Sequence, residues 1–209
     1  MTLETNKILG GIGAILMAIG FLPFAGPYTG IIALMGLILV LVAVKGFSDY
    51  YKDAGIFNNM IYAIVIGIVG AAIAGVLIAS AAFGILSSVG INMNNWTDWT
   101  MFQNIQWQNI NISTIMPYVA TILLSLVLLF VFAIVAAIFL RRSMTSLSEK
   151  TRVHMFATTG LLFLIGAILT IVLIGFILLW IALLLLAVSF FTIPLQPGQQ
   201  PTQPSQTQQ

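Results

Sequence analysis

From Ile8 to Val44 the chain carries no charged side chain. As one helix this run would be about 55 Å long at about 1.5 Å per residue, against about 30 Å for the hydrocarbon of a bilayer. It is too long to cross once and too apolar to lie in water, so it has to fold back. The break stands in LPFAGPYTG, residues 22–30. Pro23 and Pro27 each remove a backbone donor, and Gly26 and Gly30 accept turn conformations. The run predicts a helical hairpin, with helices at about 8–22 and 28–45.

The other apolar regions are 60–89, 115–140 and 155–193. Residues are 60% hydrophobic and 6% charged, and mean hydropathy is +1.12, so a soluble core is excluded. Long unbroken runs also exclude an outer-membrane barrel, whose strands alternate over short segments. The last region is again too long for one perpendicular crossing, yet it lacks proline and polar turn residues. Gly175 is its one candidate hinge, which predicts a second hairpin turning at 172–176, with a single tilted helix as the alternative. Gly13-Ala14-Ile15-Leu16 recurs as Gly166-Ala167-Ile168-Leu169, which favours the hairpin. The expected fold is an all-α six-helix transmembrane bundle, with two hairpins flanking helices at 60–87 and 115–140 and a last pair at 155–172 and 175–193. Five helices result if the last region crosses once.

With six helices, Lys7, Lys45, Lys52, Arg141, Arg142, Lys150 and Arg152 all fall on one side of the membrane and none on the other. Short basic loops stay cytoplasmic. Both termini are then expected in the cytoplasm of a cell membrane, and loop 90–114 outside. The start, MTLETNKILGG, has no small-x-small cleavage site and reads as a retained first helix. Residues 194–209 are rich in Pro and Gln and read as a disordered tail. Basic residues scattered over separate loops make no phosphate-binding face for nucleic acid.

Helix 3 carries Ala63, Gly67, Ala71, Gly75 and Ala79 at intervals of four, read as one smooth stripe for packing or for a homo-oligomer seam. KGFSDYYKDAGIFNNM, residues 45–60, holds Lys45, Asp49, Lys52 and Asp53, four of twelve charges. On a helical projection Phe47, Tyr50, Tyr51 and Ala54 share one face and the four charges another. This reads as an interfacial helix over 46–55, an amphipathic strap that Gly55 ends before Asn58 or Asn59 caps helix 3. Asp49 and Asp53, matched by Lys45 and Lys52, make a poor metal site. Loop 90–114 interleaves Trp96, Trp99, Phe102 and Trp107 with Asn and Gln, an interfacial aromatic belt by default and a carbohydrate-binding surface as the sharper reading. Its sequons make Asn95 and Asn111 candidate glycosylation sites.

Ser146 and Glu149 fit a capping box opening helix 5, and Arg141 and Arg142 sit where helix 4 should end, near its dipole and anionic headgroups. The lone His154 reads as a surface residue. Without cysteine and with one histidine, the chain cannot supply a disulfide, thiolate chemistry, two-histidine haem or a three-histidine zinc site. No ionisable residue lies inside an expected membrane core, which argues against proton-coupled transport and against acid-base catalysis. No cofactor is expected.

Lys45-Gly46, Asp49-Tyr50-Tyr51-Lys52-Asp53 and Ile56-Phe57-Asn58-Asn59, with Gly10-Gly11-Ile12-Gly13 before them and SEKTRVHMF after, resemble the family catalogued as domain of unknown function 996. Its members are uncharacterised archaeal and bacterial integral membrane proteins, and the likeness spans about 3–193. The resemblance implies a multi-pass membrane protein and supplies no activity, cofactor or binding residue. The expectation is a non-enzymatic scaffold or accessory subunit whose partners are the bilayer and a second copy or another membrane protein. The alternative is a small uncoupled transporter or channel.

Overall fold

The structure, a computed structural model, describes residues 2–22, 28–89, 91 and 111–194. Among these residues every regular element is helical, and six helices are long and apolar enough to cross a membrane. They are α1 (Leu3–Gly20), α2 (Thr29–Tyr51), α3 (Ala54–Ser88), α4 (Ile112–Thr151), α5 (Met155–Leu169) and α6 (Ile174–Thr192). Consecutive helices are packing neighbours and α6 also packs on α1, so the six form a closed ring. The end carrying the turns α2–α3 and α4–α5 together with Leu3 and Thr192 is the charged end.

Both expected hairpins form. In the first, α1 and α2 meet backbone to backbone: a Cβ at Gly13 would stand 2.7 Å from the Gly36 carbonyl oxygen, and one at Gly36 would stand 2.6 Å from the Met17 nitrogen. The recurrence of Gly-Ala-Ile-Leu has a structural counterpart. Gly166 faces Gly175 across the second hairpin, and Gly175 has no room for a side chain beside the Gly166 carbonyl and the Thr170 nitrogen. Gly175 is therefore a contact residue and not the hinge. The chain turns one step earlier, through a 3-10 turn at Thr170–Val172, and Leu173 takes the left-handed conformation at φ 63°.

The expected break at 45–46 does not exist. α2 runs straight through the strap to Tyr51, because nothing before Lys52 offers a stop. Lys52 is left-handed, Asp53 caps α3 by accepting from the Gly55 N–H at 3.0 Å, and α3 starts at Ala54. Gly55, Asn58 and Asn59 are thus helical, not end signals. The same correction applies to α4, which continues from the apolar run through Ser146 and Glu149 to Thr151. Ser146 caps nothing, and α5 begins at Met155 without a side-chain cap.

Behind both corrections lies one turn used twice. In α2 the Ser48 hydroxyl donates to the Asp53 carbonyl at 2.8 Å, and in α4 the Ser148 hydroxyl donates to the Val153 carbonyl at 3.0 Å. Each serine is followed by an acid, Asp49 or Glu149, and then by a left-handed cation, Lys52 (φ 51°) or Arg152 (φ 59°). The hydroxyl satisfies a carbonyl beyond the helix end, where backbone groups lack helical partners. As a result α3 and α4 reach about 52 and 60 Å at 1.5 Å per residue, well beyond a single crossing.

Candidate functional site

The ring is plugged at its charged end. Phe47 of α2, Phe156 of α5 and Phe190 of α6 are fully buried, with Phe190 stacked on Phe47 at 6.0 Å between centroids and edge-on to Phe156 at 5.1 Å. Aromatic pairs at these separations are held by dispersion and quadrupole as well as by area. Gly10 is flat because Phe190 lies over it, and Gly11 because Phe191 does. Three polar contacts brace the plug. The Lys7 ammonium donates to the Ile193 carbonyl at 2.8 Å, the Ser143 hydroxyl to the Ile56 carbonyl at 2.6 Å, and Thr159 and Ser189 share a buried hydrogen bond at 3.4 Å.

Beyond the plug all six helices line one apolar cavity of about 440 Å³, with Met17, Val40, Met60, Ala137, Phe163 and Leu186 each from a different helix. Among the described residues its one polar lining side chain is Thr170, whose hydroxyl already donates to the Gly166 carbonyl at 2.8 Å. A buried water needs two to four polar partners, roughly, and this lining leaves none free. The cavity suits an apolar occupant or none.

The expected small-residue stripe divides. Ala63 is buried and a Cβ at Gly67 would stand 4.0 Å from that of Ala136 in α4, whereas Ala71, Gly75 and Ala79 are exposed and nothing lies within 4 Å of a Cβ at Gly75. Steps of four advance about 40° each on a helix of 3.6 residues per turn, so the set winds about 160° around α3. The face that meets α4 instead steps by threes, fours and one seven: Met60, Ala63, Gly67, Gly70, Ala74, Ala81 and Gly84, with Gly70 under Phe132 and Gly84 under Tyr118. This spacing keeps a seam toward one partner helix.

The strap residues also part company. Phe47 belongs to the buried stripe Gly36, Val40, Ala43, Val44, Phe47 of α2, because the strap continues that helix and its face. It does not lie on an open face. Tyr51 is half-buried, stacked on Phe47 at 6.5 Å, and Tyr50 is 54% exposed. Lys45 pairs with Asp49 at 2.8 Å, as its spacing of four requires. Asp53 finds Lys150 of α4 at 3.7 Å, not Lys52, and its other oxygen is occupied by the cap. Asp49 and Asp53 therefore do not converge on a cation.

Asn111 is the N-cap of α4, its side-chain oxygen accepting from the Ser113 N–H at 3.3 Å, while Asn95 and the tryptophans of loop 90–114 lie outside the described residues, as does the tail from 195. Asn6 went unnoticed in the sequence. It is 1% exposed with its Oδ1 unpartnered, and it fills the space left by the missing side chain of Gly46. An Asn one turn from the start of a helix carries no burial signal; Gly46, a small residue between Lys45 and Phe47, is the one hint.

An uncharacterised protein of Methanocaldococcus jannaschii is 28% identical over 194 residues, covering 93% of this chain and 94% of the relative. No solved structure matches the chain. The model of the protein family of unknown function DUF996 matches residues 32–184, which include the strap, the α2–α3 and α4–α5 turns and most of the cavity lining. The chain belongs to DUF996.

Proposed function

We propose that this protein is a non-enzymatic scaffold or accessory subunit of an assembly in the cell membrane, with both termini and the charged end in the cytoplasm. The observation that carries this reading is the contrast between a plugged ring and the bare outward face of α3, where Ala71, Gly75 and Ala79 are exposed with open space at Gly75. Lipid gives helices little hydrophobic reason to associate, and close backbone approach over small residues supplies packing instead. The orientation rests on the seven basic residues, which all belong to segments at the charged end.

The test is copurification from native membrane of the wild type and of a Gly75→Leu, Ala79→Leu variant. A stoichiometric partner or second copy retained by the wild type and lost from the variant supports the reading. A monomer that moves solute when reconstituted in liposomes contradicts it. One observation favours the alternative of a small uncoupled transporter or channel, namely that all six helices share one cavity. For that path to conduct, the Phe47–Phe156–Phe190 layer would have to open.

A further inference from the structure

Arg141 is the first charged residue of α4 after an apolar run that begins at Ile112, and because α4 continues to Thr151 neither Arg141 nor Arg142 stands at a helix end. The helix dipole therefore does not account for them, since its effect falls off within the last turn. Nor does ion pairing. Among the described residues the two salt bridges are Lys45–Asp49 and Lys150–Asp53, and neither arginine has a carboxylate within 4 Å.

What the arginines do share is a groove of about 460 Å³ between α3, α4 and α5. Its lining changes along the helix axis. Ile138 and Leu164 form the deep end, Arg141, Arg142 and Asn59 the middle, and Thr145 and Ser146 the end nearer the charged face. From Ile138 to Ser146 the rise is about 12 Å. Asn59, Thr145 and Ser146 are half-buried, and among the described residues none of the three side chains makes a hydrogen bond within the chain, whereas Ser143, Ser148 and Thr151 nearby all do. Five donor-bearing side chains that make no side-chain hydrogen bond among the described residues thus line one groove with an apolar deep end.

The groove is also held in shape. The Ser143 hydroxyl on the Ile56 carbonyl fixes α4 against α3 one turn from Asn59, and Gly160 brings α5 so close that a Cβ there would stand 3.1 Å from the Arg141 Cα. Arg142 is set over the Phe139 ring at 5.8 Å. A guanidinium resting on an aromatic face still presents its N–H groups at the edge, and such a fork matches phosphate oxygens in pairs.

We propose that the groove of Arg141 and Arg142 is a binding site for the phosphate ester of an anionic membrane lipid. The phosphate sits between the two guanidinium groups and Asn59, polar headgroup atoms meet the hydroxyls of Thr145 and Ser146, and an acyl or isoprenoid chain follows Ile138 and Leu164 into the bilayer. The order of chemistry along α4 is the order along such a lipid. The strap groove on the other side of α3 serves as the contrast, because there Lys45 is already neutralised by Asp49.

The test uses the full chain in nanodiscs of phosphatidylcholine with a pyrene-labelled phosphatidylglycerol or a pyrene-labelled phosphatidylcholine, read as the quenching of tryptophan emission that a Leu161→Trp reporter, one turn from Leu164 on α5, adds to that of the four native tryptophans. The wild type is expected to prefer the anionic probe by about tenfold or more, and Arg141→Gln with Arg142→Gln to reduce that preference to about twofold or less. Lys45→Gln should leave it intact. Arg141→Lys with Arg142→Lys, which keeps charge and fold, should retain part of the preference and lose the paired geometry. Inorganic phosphate at millimolar concentration should not displace the probe. Equal quenching by both probes in the wild type, or a preference unchanged in the double Gln variant, would overturn the proposal, and displacement by inorganic phosphate would replace the lipid with a soluble anion.

Discussion

The seams between neighbouring helices and the outward face of α3 are built from the same residue types and behave differently. In the seams glycine is used up in contacts: Gly10 lies under Phe190, Gly13 against Gly36, Gly46 against Asn6, Gly84 under Tyr118. On the outward face of α3, Gly75 touches nothing and Ala71 and Ala79 are open. The difference teaches that a small residue in an apolar helix signals approach only through what stands opposite. Period decides that: a seam stepping by threes and fours keeps its partner, and a stripe stepping by fours winds away from it.

That contrast can be broken by placing the same bulk in a seam and on the bare face. Gly13→Leu drives a side chain into the backbone of α2 and should cost about 3 kcal/mol or more, seen as a lowered midpoint of unfolding by SDS in micelles. Gly75→Leu should change that midpoint by no more than about 0.5 kcal/mol, because its Cβ meets open space. Equal losses at both positions would erase the distinction between seam and bare face. Phe190→Ala, next in size, empties the plug and should cost about 3 kcal/mol, near the lower bound for such truncations because surrounding lipid supplies no hydrophobic term.

Smaller effects sharpen the comparison. Ser143→Ala removes one interhelical hydrogen bond at the charged end and should cost about 1 kcal/mol. Leu173→Gly acts at the other end and in the other direction. A left-handed leucine is strained by about 1–2 kcal/mol, and glycine relieves that strain, so the variant should unfold at a slightly higher SDS concentration.

Much of this fold was legible. Lengths of apolar runs require the hairpins, and the repeated Gly-Ala-Ile-Leu marks Gly13 and Gly166, each of which faces the partner helix of its own hairpin. Helix ends at the charged side were not legible, because the stop signals there are Lys52 and Arg152 in left-handed conformations, residues with no preference for ending a helix. The serine that makes each stop workable, Ser48 or Ser148, acts on a carbonyl five residues on, a spacing that local propensity does not register. For the site, charge pairing within α2 was visible at a spacing of four, while the Asp53–Lys150 pair and the Arg141 groove join helices far apart in sequence. The cavity has no sequence signature, since its lining is the same Leu, Met, Ala and Phe that elsewhere fill a core.

The central claim is that the ring is dry beyond a sealed charged end. The absence of native cysteine allows a direct measurement, with Ala137→Cys on the cavity wall and Lys52→Cys on the rim, each reacted in sealed vesicles with a membrane-impermeant maleimide applied from either side. The rim cysteine should label from one side within minutes and the cavity cysteine from neither. Labelling of Ala137→Cys from both sides would contradict the account and show a water path through the ring.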